Sequence, residues 1–211
     1  MKNIAIYGAG GSGREVLCLI NSINNVENTY NFIGFFDDGI KKGIKTKYGE
    51  ILGNIDDLNK IQNPLSIVIS IGSPDIIFKI SNSIYSNKIE FVNLIHPSTE
   101  ILDSVTICKG NIFSSGTIIS CDVSIGNFNF FSSKCVVGHD TKIGSYNVFG
   151  PNTQISGNVS IGNNNSFGLN SSIIQGKSVG NANRIGGHSF VIRNIKDNSF
   201  YFGVPATRQN Y

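Results

Sequence analysis

Charge is scarce in this sequence. Charged residues make up 15% of its 211 positions, against a usual fraction of about 25%. No stretch approaches the roughly 18 consecutive apolar residues needed to span a bilayer. The opening segment, Met1 to Gly8, has one lysine and reaches glycine too early to read as a secretory leader. A cytoplasmic protein that engages no membrane is the expectation. The four cysteines, Cys18, Cys108, Cys121 and Cys135, form no CxxC pair and no zinc spacing. That suits small buried thiols in a reducing compartment. What is present argues for a globular chain: 40% hydrophobic residues and 14 phenylalanines exclude disorder. The length suffices for one large domain or two small ones.

The net charge of +3 is too small to point to a nucleic-acid partner. It is also unevenly spread. From Thr141 onward the basic residues are Lys142, Lys177, Arg184, Arg193, Lys196 and Arg208, with Asp197 the one acid. A solvated basic face and an anionic ligand near the C-terminal end both remain open readings.

A repeat governs the second half. Every sixth residue from Ile101 to Val191 is large and apolar, as in Ile119, Ile125, Phe131, Val137, Ile143 and Phe149. A period of eighteen lies over it: Ile125-Gly126, Ile143-Gly144, Ile161-Gly162 and Val179-Gly180 recur in step, as do Asn111, Asn129, Asn147, Asn165 and Asn183. Three hexapeptides per eighteen residues predict a triangular coil with one inward side chain per short strand. Coils stacked at strand spacing, about 4.8 Å, make a parallel β-helix in which each coil buries its faces against its neighbours. Glycine and asparagine are expected at corners because they accept the positive φ or tight geometry that corners demand. Small or β-branched residues are expected to fill the corners, among them Thr117, Val123, Cys135, Thr141, Thr153 and Val159. Phe113, Phe131, Phe149 and Phe167 read as an internal stack.

The first half reads as an α/β unit with a Rossmann-like order. Ile4–Tyr7 is a short apolar strand, and Gly8, Gly10 and Gly13 match GxGxxG before a helical stretch from Arg14 to Ile20. A helix N-terminus there offers free N–H groups to phosphate. A second strand, Phe32–Phe36, ends in Asp37-Asp38, and Ile67–Ile71 ends in Gly72-Ser73. A helix over about 75–86 and a strand over 91–95 complete the unit. Small residues at successive strand ends predict a ligand crevice. The phosphates of a nucleotide-bearing substrate are expected at Gly10, Gly11, Ser12 and Gly13, with its base or ribose near Asp37 and Asp38. The expected division is a nucleotide-sugar domain over 1–95 and a β-helix domain over 96–211.

Three histidines are present. His96, before Pro97, reads as structural, and His188 either lines a groove or faces solvent. His139, just past an inward valine, is expected near a corner and pointing outward beside Asp140. A carboxylate in that position orients the ring and supports a general base. His96 and His188 lie 43 and 49 residues from His139, which does not place three ligands on neighbouring coils and argues against a metal site.

These pieces together resemble the bacterial hexapeptide-repeat sugar acetyltransferases, typified by sialic acid O-acetyltransferases and UDP-4-amino-sugar N-acetyltransferases. The resemblance rests on the glycine-rich start, Asp37-Asp38, Asn93-Leu94-Ile95-His96-Pro97, His139-Asp140-x-x-Ile143-Gly144 and Gly203-Val204-Pro205-Ala206. It implies a left-handed β-helix, acetyl-CoA as cosubstrate, no metal, and a homotrimer with active sites between prisms. It also implies His139 as base, and substrate contacts at Gly10, Gly11, Ser12, Asp37, Asp38 and Gly72. The CoA groove would lie near Val148, Gly157, Leu169 and Gly187. Ser12 stands where some members carry a histidine. N-acetylation of a nucleotide-linked 4-amino-dideoxy sugar for a surface glycan is the leading expectation. Sugar O-acetylation of the sialic acid type is the alternative, and a non-catalytic β-helix scaffold a distant third.

Overall fold

The computed structural model describes residues 1–209 and divides into two compact units, Met1–Pro97 and Ser98 onward. In the first, β1 (Lys2–Tyr7) leads through Gly8–Gly10 into α1 (Gly11–Val26), then β2 (Tyr30–Phe36), β3 (Lys45–Thr46) and β4 (Gly49–Gly53). After these come α2 (Ile55–Asn59), β5 (Leu65–Ile69), α3 (Pro74–Ser83) and β6 (Ile89–Phe91). The sheet order is β3-β4-β2-β1-β5-β6, parallel except for the β3–β4 hairpin. β5 is buried along its whole length, the pattern of a central parallel strand that shows neither face to water. α1 buries Val16, Leu17, Leu19 and Ile20 at helical spacing. The chain runs outward from β1 through β2 to β4 and then returns to β5 on the other side of β1. That reversal opens a crevice at the carboxyl ends of β1 and β5.

The hairpin and α2 were not legible in the sequence. β3 is two exposed residues, and β4 begins and ends on glycine, so neither carries an apolar run. α2 is a single turn held by a capping box, with the Asn54 side chain accepting from Asp56 and Asp57 N–H groups.

The second unit is a parallel β-helix of two-residue strands. One face runs through Ile112–Phe113, Phe130–Phe131, Val148–Phe149, Ser166–Phe167 and Arg184–Ile185. The next runs from Glu100–Ile101 to Phe190–Val191, and the third from Thr106–Ile107 to Ser178–Val179. The inward residues are buried as the sixfold period predicts, save the half-buried Ile101 and Ile107 of the first coil. The four phenylalanines stack with centroids 4.6 to 4.9 Å apart. The asparagines form a ladder: Asn129 Nδ2 donates to Asn111 Oδ1 at 3.0 Å and to the Gly144 carbonyl at 2.9 Å, and Asn147 and Asn165 repeat the pattern. Each buried amide thus satisfies backbone that the corner leaves unpaired.

The corner expectation holds in part, and the expectation for the thiols is corrected. Every sixth residue from Ser104 to His188 is left-handed, yet these positions include Phe128, Lys134, Asp140 and Tyr146 as well as glycine and asparagine. The repeating Gly126, Gly144 and Gly162 do not have positive φ. They are glycine for space, because a Cβ there would lie 2.6, 2.6 and 2.7 Å from the next coil's carbonyl oxygens. The thiols differ too: Cys135 is buried in the prism, whereas Cys18 and Cys108 are exposed. Burial pushes the Cys135 thiol up to about 12.

Candidate active site

The crevice of the first unit is a cleft of about 390 Å³. All six residues expected to bind a nucleotide sugar line it: Gly10, Gly11, Ser12, Asp37, Asp38 and Gly72. Two kinds of glycine build it. A Cβ on Gly13 would collide with the Gly8 carbonyl, and Gly8 has φ +106° with its own Cβ position 2.6 Å from the Ser70 carbonyl. Those two are required for helix, turn and strand to pack. Gly10 and Gly72 have nothing within 4 Å of a Cβ, and Gly11 has only the Arg14 guanidinium at 3.7 Å. Their missing side chains leave the cleft open. α1 begins here with no side-chain cap and no acid in its first turn, so its leading N–H groups and positive dipole end are available to an anion.

Asp37 is held by the chain itself: Oδ2 accepts from Ala9 N–H at 2.9 Å and Oδ1 from Gly39 N–H at 2.9 Å. Asp38 Oδ1 accepts from Ile55 N–H at 3.0 Å. Ser12 and Ser70 hydroxyls meet at 2.7 Å. Tyr7, Ser70, Ile71, Ile76 and Ile80 also line the cleft and were missed in the sequence. The ends of β1 and β5 at a reversal of strand order were the signal that names Tyr7 and Ser70. The Tyr7 hydroxyl is buried and makes no hydrogen bond of ordinary geometry, although Asp38 lies near enough to act on it. Burial, then the Asp38 carboxylate, hold its phenol well above the usual range.

In the β-helix, His139 and Asp140 stand on the corner after the Val136–Val137 rung, both exposed. Asp140 takes a left-handed conformation, φ 57°, and its Oδ2 meets His139 Nδ1 at 2.7 Å. A proton on Nδ1, toward the carboxylate, would leave Nε2 with a free lone pair. The ring lies against Gly157 one coil on: a Cβ there would sit 2.5 Å from Nε2. Of the residues expected in a CoA groove, Gly157 is therefore beside His139. Val148 lies on an outer face, and Leu169 and Gly187 stack on the corner after that face, the Leu169 side chain 3.5 Å from a Gly187 Cβ position. One prism does not bring these three to His139. Arg193 and Arg208, with Tyr201 and Pro205, line a cavity of about 310 Å³ at the last coil. His188 Nε2 pairs with Asn170 Nδ2 at 3.2 Å on the same corner as Leu169 and Gly187. Among the described residues no three of His, Cys, Asp and Glu converge as metal ligands, and no helix is long and apolar enough to cross a membrane.

An α/β domain with a cleft at its strand ends, followed by a hexapeptide β-helix, is a fold shared with solved sugar N-acetyltransferases of the hexapeptide-repeat class. Residues 3–84 match the PglD N-terminal domain family. Over 114 residues the chain is 29% identical to UDP-N-acetylbacillosamine N-acetyltransferase of Bacillus subtilis (strain 168), a match to 53% of this chain and 51% of that protein. It therefore spans about half the length of that relative. The acetyltransferase domain of PglB from Neisseria gonorrhoeae FA1090 has the same fold, with TM-score 0.90 at 22% identity over 99% of this chain and 100% of that one. A mutant of perosamine N-acetyltransferase from Caulobacter crescentus, solved with CoA and GDP-perosamine, superposes with TM-score 0.87 at 23% identity over 100% of this chain and 98% of that one. The resemblance read from the sequence holds for the α/β domain and for the β-helix alike.

Proposed function

We propose that this protein is an acetyl-CoA-dependent N-acetyltransferase of a nucleotide-linked amino sugar, of the 4-amino-dideoxy type, serving bacterial surface glycan synthesis. The observation that carries this reading is the exposed His139–Asp140 pair, with the carboxylate 2.7 Å from Nδ1. The sugar amine attacks the acetyl carbonyl, and His139 Nε2 takes the amine's proton as the N–C bond forms. Asp140 holds the tautomer and offsets the imidazolium charge. Collapse of the tetrahedral intermediate breaks the C–S bond, and the proton passes to the departing sulfur as free CoA. The thioester is already activated, so positioning and one base suffice.

The first domain is read as the holder of the nucleotide sugar, with phosphates at Gly10, Gly11 and Ser12 and the base or ribose at Asp37, Asp38 and Gly72. The second is read as the catalytic domain, with Val148, Gly157, Leu169 and Gly187 along the CoA groove. Those four fall on different parts of one prism, which supports a homotrimer in which a neighbouring copy completes each groove. Both cosubstrates belong to the cytoplasm, and so does the enzyme in this reading. The relatives' own substrates, UDP-N-acetylbacillosamine and GDP-perosamine by name, support an amino-sugar nucleotide.

Thiol release from acetyl-CoA, screened against UDP-, GDP- and dTDP-linked amino sugars, tests the reading. At least one amino sugar should release CoA and gain 42 Da, about the mass of an acetyl group less a proton, on its nitrogen, from a species of about three chain masses by light scattering. Release with hydroxyl sugars alone would replace N- by O-acetylation, and release with none would end it.

A further inference from the structure

The cleft of the first domain has an electrostatic deficit. Its lining holds two carboxylates, Asp37 and Asp38, and no lysine or arginine. A diphosphate placed on the Gly10–Gly13 turn would carry its charge into a site that already contains acid. The neutral floor offers N–H groups and the buried Tyr7 hydroxyl, 2% exposed by residue, but no counter-charge.

The counter-charge stands at the mouth. Arg14, on the second turn side of α1, folds back toward the helix start, and its Nη2 lies 3.7 Å from the Cβ position of Gly11. Its guanidinium also sits over the Tyr48 ring, 5.5 Å from the centroid. Lys47 Nζ lies 4.9 Å from the same centroid. Tyr48 is at the tip of the β3–β4 hairpin, and the tip is braced: Thr46 Oγ1 accepts from Tyr48 N–H at 3.1 Å and Gly49 N–H at 3.2 Å and donates to the Gly49 carbonyl at 2.8 Å. Two cations thus share one aromatic ring beside the cleft. Among the described residues neither has a carboxylate within ion-pair distance, whereas nearby Lys42 is tied to Asp57 at 2.7 Å. Like charges gathered on one ring without an acid to neutralise them are costly unless an anion completes the group. Lys47 and then Arg14 draw the exposed Tyr48 phenol below its ordinary pKa, as expected where cations converge on it.

We propose that Arg14 and Lys47, held by Tyr48, form a clamp that binds the second phosphate of a nucleoside diphosphate sugar and makes this cleft select diphosphates over monophosphates. The first phosphate rests on the α1 amides, the second reaches the guanidinium at the rim, and Asp37 and Asp38 remain for the nucleoside. This rests on the nucleotide-sugar reading of the same cleft and adds residues and a selectivity to it.

Calorimetric binding of UDP, GDP and dTDP, each against its monophosphate, tests the clamp on the full chain without any need for turnover. In the wild type the preferred diphosphate should bind about tenfold or more tighter than its monophosphate, the scale of one charge-assisted contact. In Arg14→Gln/Lys47→Gln that ratio should fall below about threefold while monophosphate affinity holds, and Arg14→Lys should keep part of it. Both side chains are exposed, so an unchanged melting curve is expected. A double variant that keeps the wild-type ratio overturns the clamp and leaves the proposed function standing. Failure of every nucleotide to bind the wild type overturns both.

Discussion

A methyl group added at Gly157 is the most pointed test of the His139 assignment, because it moves the base without altering it. A Cβ at that position would lie 2.5 Å from His139 Nε2, 2.7 Å from Cε1 and 2.9 Å from Cδ2, against ordinary contact of 3.4 Å or more. The imidazole must therefore retreat by about 0.9 Å, since side chains in contact do not interpenetrate. Gly157 does not have positive φ, and the nearest atoms are those of an exposed ring and not backbone, so the fold should tolerate alanine. A misplacement of about 1 Å at a reacting group costs about 10²-fold in rate. Gly157→Ala should then lower kcat by about that factor, with KM for the nucleotide sugar nearly unchanged. His139→Ala should cost about 10² or more, the scale of a lost general base. The assay is steady-state thiol release with each substrate varied in turn, repeated on the double variant. If Gly157 acts through the ring, adding Gly157→Ala to His139→Ala changes nothing further. A Gly157→Ala enzyme with more than half the wild-type kcat, or losses that multiply in the double variant, would refute the reasoning.

The glycine turn gives a second contrast. Gly11→Val should raise KM for the nucleotide sugar, leave that for acetyl-CoA nearly unchanged and preserve the melting curve, because a Cβ at Gly11 meets only the flexible Arg14 end at 3.7 Å. Gly13→Ala should instead lower soluble yield and melting temperature, since its Cβ collides with the Gly8 backbone carbonyl; equal melting curves for the two would contradict the division. In the prism, Phe149→Ala removes a fully buried ring stacked at 4.6 and 4.9 Å on its two neighbours and should cost about 3–5 kcal/mol by chemical denaturation.

The β-helix was legible almost entirely in the sequence because its period is a packing period. Each sixth side chain points inward and each eighteenth enters the same column, so Phe113, Phe131, Phe149 and Phe167 stack as likes, and a column of likes is visible without coordinates. The corners were legible in position but not in cause. Phe128 and Tyr146 adopt the left-handed conformation that glycine finds easiest, and they stack on each other at 5.5 Å while doing so. Backbone hydrogen bonds to the neighbouring coil, such as Phe128 N–H to the Lys109 carbonyl at 3.0 Å and Tyr146 N–H to the Asn127 carbonyl at 2.8 Å, hold that geometry whatever the side chain. Local preference was overridden by the stack. The β3–β4 hairpin escaped notice for the opposite reason: its order comes from Thr46 and from strand pairing, neither of which leaves an apolar pattern.

The glycine motif shows where reading a sequence ends and reading a structure begins. GxGxxG presents Gly8, Gly10 and Gly13 as equals, and the sequence has no means of ranking them. Space ranks them. Gly8 and Gly13 are occupied on the side a Cβ would take, by Ser70 and by Gly8 itself, so the fold alone accounts for them. Gly10, Gly11 and Gly72 face open cleft, where almost any residue would fold and helix-favouring ones would fold better than glycine at position 11. Glycine where folding does not need it implies that something else requires the room. The acids in the same cleft sharpen the point. Asp37 spends both oxygens on the N–H groups of Ala9 and Gly39, fixing the turn that carries Gly10 and Gly11. Its negative charge is therefore part of the architecture. An anionic ligand at the helix start must meet that charge, and the cations at the rim, Arg14 and Lys47, are the residues on hand to offset it.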